Sequence, residues 1–300
     1  MRRPFLFFAL LSFASAAQPP TDVPPHSAQA DTVNRFFTEA LVSRNAFDQL
    51  RTLTSQSPGR LSGSKSLDRA VVWAERVLGS MQLDRVYKQE VRVPHWERGA
   101  RESVRLLPSR GDASALAASA LGGSAPSPAG GLIAEVVEVQ SLDALAALGT
   151  DVVRGKIVFF NRPLDPKLYA PSVAYAAAGD QRRRGPAAAL GAVGALTRSL
   201  TLAQDDVPHT GNTSFSPDQP PIPAAALSPR AADRLSSALA SDPALRVEMK
   251  IHARWLPDAA SHNVIGEIRG REFPDRVIVV GAHLDSWDIA AGAHDDGTGV

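Results

Sequence analysis

The segment that most restricts what this chain can fold into is a short, unbroken apolar run, Val277-Ile278-Val279-Val280, followed directly by Gly281-Ala282-His283-Leu284-Asp285-Ser286. Such a run reads as a central strand covered on both faces. Strands of this kind belong to open α/β sheets, where ligand sites form beyond the carboxyl ends of the strands. The loop after residue 280 is therefore where chemistry is expected. That loop continues into Gly292-Ala293-His294-Asp295-Asp296-Gly297-Thr298-Gly299.

The side chains in this loop are those of a metal site. His283 can offer a ring nitrogen to a metal. Asp285, two residues on in an extended segment, projects to the same side. It can accept the other ring N–H and so fix the tautomer. Asp295 has two carboxylate oxygens and can bridge two ions, and the glycines around it allow a tight backbone. The chain has no cysteine. Disulfides, thiolate sites and cysteine nucleophiles are thereby excluded, and any metal must sit on His, Asp or Glu. This donor set suits a pair of zinc ions in a hydrolase. The plain alternative is a Gly- and Asp-rich loop with a surface histidine, and the joint pattern of apolar strand, H-x-D-S and G-A-x-D-D-G-x-G favours the metal. His294 reads as exposed or supporting rather than ligating. His95, His209, His252 and His262 lack ligand spacing and read as structural.

Lys and Arg number 32 against 31 Asp and Glu. A protein that depends on neutralising phosphates should be more basic, so nucleic acid is not an expected partner. At 300 residues and 44% hydrophobic, the chain can bury a core and suggests about two domains. Its first residues read as an export signal: Arg2 and Arg3, an apolar stretch over 5–13, then Ala14-Ser15-Ala16 as a cleavage site. The stretch is too short to span a bilayer, so no membrane association is expected once residues 1–16 are removed. Export, to a periplasm or to the medium, also fits the absence of cysteine in a bacterial envelope or secreted enzyme that does without disulfides.

Residues 18–31 read as loose. Helical spacing over 32–55 predicts two helices broken near 43–45, and Ser64 predicts the cap of another, with a stripe of Leu67, Val71, Ala74, Val77 and Met81. Residues 86–93 alternate as a strand, with 104–107 as the expected hairpin partner. Residues 112–131, rich in Ala, Ser, Gly and Pro, read as a flexible connection. Strands are expected over 132–139, 156–160 and 264–268, with alternation over 246–253. Helices are expected over 142–148 and 229–239, and 187–196 is a small apolar stretch. The basic run at 182–184 reads as a solvated face.

The chain resembles the M28 family of zinc exopeptidases, and within it the carboxypeptidase Q branch. The resemblance is carried by Val280-Gly281-Ala282-His283-Leu284-Asp285-Ser286-Trp287-Asp288 and by Gly292-Ala293-His294-Asp295-Asp296-Gly297-Thr298-Gly299-Val300. Segments 58–64 and 93–99 are also similar to that branch. Gly155-Lys156-Ile157-Val158 and Ile222-Pro223-Ala224 resemble a protease-associated domain. The resemblance implies an α/β fold: an incomplete zinc-exopeptidase catalytic domain, a mixed sheet with flanking helices, interrupted by an inserted protease-associated α/β domain. Residues 1–16 are then the signal and 17–110 the first part of the catalytic domain. Residues 111–250 are the insertion, and 251–300 begin the catalytic sheet and metal site.

It further implies that His283 binds one zinc, that Asp285 orients His283, and that Asp295 bridges two zinc ions, with a cis Asp295–Asp296 peptide. The family places its general-base Glu and remaining ligands after this motif. The chain is therefore expected to be truncated at its C-terminus and inactive alone. The whole protein is expected to hydrolyse short peptides as an aminopeptidase, carboxypeptidase or dipeptidase, and a homodimer is compatible with this. Two other readings use the same scaffold, a non-catalytic binding relative and an acyltransferase or cyclising enzyme. The intact His283, Asp285 and Asp295 weigh against the first and the inserted block against the second.

Overall fold

The structure is a computed structural model that describes residues 26–168, 184–214, 219 and 221–300. The chain divides into two units, residues 1–49 and 50–300. In the first, α1 (His26–Val42) begins just after Pro24 and Pro25, residues suited to a helix entrance. Its Val33, Phe36, Phe37 and Leu41 are exposed. The Ser43 hydroxyl accepts from the Asn45 N–H and opens α2 (Asn45–Gln56). The break at 43–45 is thus where the spacing puts it. Residues 26–31, by contrast, are helical rather than loose, because no proline follows Pro25 in that stretch. The expected signal and residues 18–25 lie outside the described residues.

Along the chain the second unit carries α3 (Lys65–Gly79), β1 (Arg85–Glu97), β2 (Ser103–Leu107), β3 (Ser114–Leu116), β4 (Ala118–Ala120), β5 (Leu132–Val139), α4 (Leu142–Val153), β6 (Ile157–Phe160), α5 (Gly185–Ala189), β7 (Gly194–Arg198), β8 (Ala224–Leu227), α6 (Pro229–Ser241), β9 (Arg246–Lys250) and β10 (Arg254–Glu267). Ser64 caps α3, accepting from the Leu67 N–H at 3.2 Å, and the helix buries Leu67, Ala70, Val71, Trp73 and Ala74. β1 and β10 form an antiparallel ribbon from Arg85↔Glu267 to Glu97↔Arg254. Its register shifts between Val93 and His95, where Pro94 has no N–H to give the ladder.

The other sheet has eight strands in the order β3-β2-β9-β5-β6-β7-β8-β4. β5, β6, β7 and β8 are parallel neighbours, and the outer strands join antiparallel. All four residues of β6 are buried. On one face Phe159 packs with Leu196, Leu227 and Leu235 of α6. On the other, Val158 and Phe160 pack with Leu145 and Val153 of α4 and Ala187 of α5. Helices on both faces are why a central parallel strand reads as a continuous apolar run.

Four further expectations change. Residues 104–107 lie in β2 between β3 and β9, and the partner of β1 is β10, not β2. A long strand gains more ladder from an equally long partner than from its near neighbour, and Val104 and Leu106 are buried in the large sheet. Residues 112–131 are no flexible connection. They contain β3 and β4, with Leu116, Ala120 and Leu121 buried. Their small side chains allow close packing against the alanines of β8 (Ser119↔Ala226, Ala120↔Ala225). Arg184 is not on a solvated face. It is fully buried, with its guanidinium 4.7 Å from the Phe160 ring centroid, where a planar cation stacks well; Arg182 and Arg183 lie outside the described residues.

Residues 277–280, finally, are not a covered central strand. They pair with no strand and are 80%, 91%, 84% and 93% exposed. A central strand requires a neighbour on each edge, and among the described residues none flanks this run.

Candidate metal centre

Residues 281–299 leave the exposed run as a loop and end in a π-type turn, Ala293–Gly297, whose backbone departs from helical values at Asp295 and Asp296. The Asp295–Asp296 peptide is cis. Gly292 enters this turn at φ +64°. A Cβ there would lie 2.3 Å from Ser286 Cβ and 2.7 Å from the Arg60 guanidinium, so only glycine fits.

His283 sits between carboxylates. Its Nδ1 is 3.1 Å from the Asp285 backbone oxygen and 3.2 Å from Asp285 Oδ1. Its Nε2 is 3.1 Å from Asp295 Oδ1. The His283 backbone N–H donates to Asp296 Oδ2 at 3.3 Å. The three side chains are open to solvent, at 52%, 46% and 72% for His283, Asp285 and Asp295. Burial pushes the His283 pKa down. The negative charge of Asp285, the Asp285 backbone contact, and then Asp295 and Asp296 together outweigh that and raise it.

The donors fit zinc as far as they go. Two ligands about 2.0–2.1 Å from a tetrahedral zinc are about 3.3 Å apart, close to the observed 3.1 Å between Nε2 and Oδ1. With Asp285 at Nδ1, Nε2 is the ring nitrogen available to a metal. Among the described residues, no group of three or more His, Cys, Asp or Glu side chains is placed to hold a metal ion. The structure brings His283, Asp285 and Asp295 together, with His283 between the two carboxylates. His294 is exposed, and its backbone oxygen accepts from the Thr298 hydroxyl. His95 is elsewhere, packed on Gly63 and 3.6 Å from Glu97.

Two arginines that the sequence reading passed over hold this loop. Arg60 is fully buried. Its Nε donates to the Leu284 carbonyl at 2.7 Å, Nη1 to those of Ser57 and Ala291 at 3.1 and 2.9 Å, and Nη2 to that of Gly292 at 2.8 Å. Arg60 and Ser286 also exchange hydrogen bonds, Ser286 N–H to the Arg60 carbonyl at 3.0 Å and Arg60 N–H to the Ser286 hydroxyl at 3.1 Å. Burial lowers the Arg60 pKa and the charge of Asp285 opposes that shift. Arg98, after β1, grips Asp288 with two hydrogen bonds of 2.8 Å. The sequence signal for Arg60 was an arginine in a Pro-Gly turn with no acidic residue nearby to pair with. For Arg98 it was an arginine between Trp96 and Gly99, followed by Glu102, which the loop's Asp288 outcompetes in distance (2.8 against 3.6 Å).

Among the described residues, no helix is long and apolar enough to cross a membrane. Residues 263–300 match the family described as Peptidase family M28. Carboxypeptidase Q of Xenopus laevis is 34% identical over 280 residues, which are 93% of this chain and 58% of that protein. The solved Peptidase M28 precursor from Shewanella amazonensis SB2B superposes with a TM-score of 0.84 at 33% identity, covering 90% of this chain and 60% of that one. BSAP, a zinc aminopeptidase from Bacillus subtilis, shares the fold, with a TM-score of 0.56 at 21% identity over 85% of this chain and 54% of its own. The chain thus spans somewhat more than half the length of the relatives it matches. The match over residues 263–300, a relative aligned over nearly the whole chain and a solved relative of the same fold all point to peptidase family M28.

Proposed function

We propose that this chain carries part of the catalytic centre of an exported, zinc-dependent exopeptidase that cleaves short peptides or dipeptides. The observation that carries the reading is the placement of His283 Nε2 against Asp295 Oδ1 with Asp285 behind Nδ1. In this reading His283 and Asp295 would hold zinc, with Asp295 able to serve two ions, and Asp285 would orient His283. When bound, the zinc ions supply Lewis acidity that polarises a peptide carbonyl and makes water a nucleophile near neutral pH. The residues present do the positioning. Asp285 accepts a hydrogen bond from Nδ1–H and keeps the ring turned with Nε2 toward Asp295. The Asp296 carboxylate holds the His283 backbone N–H. Arg60 fixes the carbonyls at both ends of the intervening loop.

Further ligands and the general base are assigned to the remainder of the whole protein, and the 300 residues alone are read as inactive, in keeping with two donors where a catalytic zinc takes three. Residues 111–250, which contain most of the eight-stranded sheet, are read as an inserted protease-associated domain. Residues 1–16 are read as the export signal. The test is an assay of the whole protein on amino-acid amides, dipeptides and C-terminally blocked peptides, with and without a chelator. Activity should vanish on chelation and return with zinc. His283→Ala and Asp295→Asn should each lower kcat/KM by at least about a thousandfold, the scale of losing a group central to charge stabilisation. Hydrolysis that chelation leaves intact would sink the reading.

A further inference from the structure

Between His283 and Asp295 the loop makes an excursion through Trp287 and Asp288, which none of the metal chemistry uses. Both side chains leave the metal site and reach the region of the eight-stranded sheet. Asp288 is held by Arg98 in a two-pronged contact, Nε to Oδ2 and Nη2 to Oδ1, each 2.8 Å. The same guanidinium reaches the carbonyl of Ala120 in β4 at 2.5 Å, the Ser119 hydroxyl at 3.3 Å and the Thr210 hydroxyl at 3.2 Å. It also lies 5.4 Å from the ring centroid of Trp96, whose indole N–H donates to the Ser124 carbonyl at 2.9 Å. Arg98 is buried, so these contacts are shielded from solvent. Trp287 lies directly on Gly122, next to β4. A Cβ on Gly122 would come within 2.3 Å of the indole, so the close approach depends on that glycine.

A planar fork that bonds a carboxylate on one side and backbone oxygen on the other fixes both position and angle, which an ammonium cannot do. Each end of the excursion leads to a metal-facing side chain, and misplacement of such a group by about 1 Å can cost a hundredfold in rate. We propose that Arg98 is a positioning residue: through Asp288 it references the metal-binding loop to the eight-stranded sheet, so that the sheet region sets where His283 and Asp295 stand. The inference rests on the metal reading above and gives the sheet region a mechanical part in it.

The test uses the whole protein. Arg98→Lys keeps the charge and loses the fork, Asp288→Asn keeps the size and loses the charge, and Asp288→Glu keeps the charge and shifts it outward. Arg254→Lys, in the exposed Arg254–Glu97 pair on the same ribbon, is the control. Cobalt(II) is titrated as a spectroscopic stand-in for zinc. Arg98→Lys and Asp288→Asn should bind cobalt at least about tenfold more weakly and shift its visible spectrum, while Arg254→Lys matches the parent; Asp288→Glu should fall between them. A merely structural role would lower the melting temperature and leave the spectrum of the folded protein unchanged. Parent-like cobalt affinity and spectrum in the folded Asp288 variants overturn the proposal, and these carry the test even where Arg98→Lys does not fold. A parent protein that takes up no cobalt would instead refute the metal reading. The positioning role of Arg98 is then decided by hydrogen exchange of the 284–292 amides, which should be at least about tenfold faster in Asp288→Asn, and parent-like exchange overturns it.

Discussion

Two four-residue apolar runs in this chain look alike in sequence and end in opposite places. Ile157-Val158-Phe159-Phe160 is fully buried as β6. Val277-Ile278-Val279-Val280 is 80–93% exposed. Each follows a polar or charged stretch and precedes a loop. The first has β5 on one edge, β7 on the other, α4 and α5 on one face and α6 on the other. The second has no strand beside it among the described residues. An apolar run states that a strand could be covered. What covers it is a property of the rest of the fold, and the stabilisation belongs to the pair, not to the run.

The comparison can be broken most directly by truncating one residue in each run. Phe159→Ala should destabilise the chain by about 3–5 kcal/mol, the cost of a large buried side chain plus the cavity it leaves. Val279→Ala should stay within about 0.5 kcal/mol, as at exposed positions without special contacts. Urea denaturation of the 300-residue chain measures both. A cost above about 1.5 kcal/mol for Val279→Ala would mean that the run is covered in solution and that the contrast is false.

A second test compares two arginines. Arg60 is buried with its guanidinium on four carbonyl oxygens. Arg254 is exposed in its pair with Glu97. Arg60→Ala strips partners from buried carbonyls and should cost about 3 kcal/mol, with faster hydrogen exchange at the Ser286 and Gly59 amides. Arg254→Ala should cost less than about 1 kcal/mol, the usual worth of a surface pair. Equal effects would show that the loop is not held from beneath. Arg60→Lys should recover part of the loss, since an ammonium has fewer donors than the four used here.

How far the sequence reached follows the same division. β5, β6, the two helices flanking residues 43–45, the Ser64 cap and the close set of His283, Asp285 and Asp295 were legible, because each depends on neighbours in the chain. The partner of β1 was not. Its ladder with β10 joins residues far apart, and nothing local distinguishes β10 from the nearer β2. β3 and β4 were hidden because alanine and serine also compose linkers, and only the alanines of β8 make that stretch a strand partner. Arg184 looked solvated because a basic run gives no sign of Phe160. Arg60 and Arg98 escaped because their partners are loop carbonyls and Asp288, distant in the chain.

The smallest effect is expected at the rim of the eight-stranded sheet. Asp242, after α6, accepts from the Ser109 N–H at 2.7 Å and the Ser109 hydroxyl at 2.8 Å, and its other oxygen from the Ala244 N–H at 3.2 Å. The Ser109 backbone bond, then its hydroxyl, holds the Asp242 carboxyl below the usual carboxylate range. Because the folded pKa is the lower one, this contact stabilises the fold fully above the unfolded value of about 3.9 and loses its effect as pH falls through the folded value. Asp242→Asn removes the titration. The stability gap between parent and variant should therefore be flat from neutral pH down to about pH 5 and close progressively below about pH 4. Residues 277–280 carry no titrating group, so Val279→Ala should show no such closure. A gap for Asp242→Asn that widens with acid would have the wrong sign, and would mean that the carboxyl is strained at this rim, not held by it.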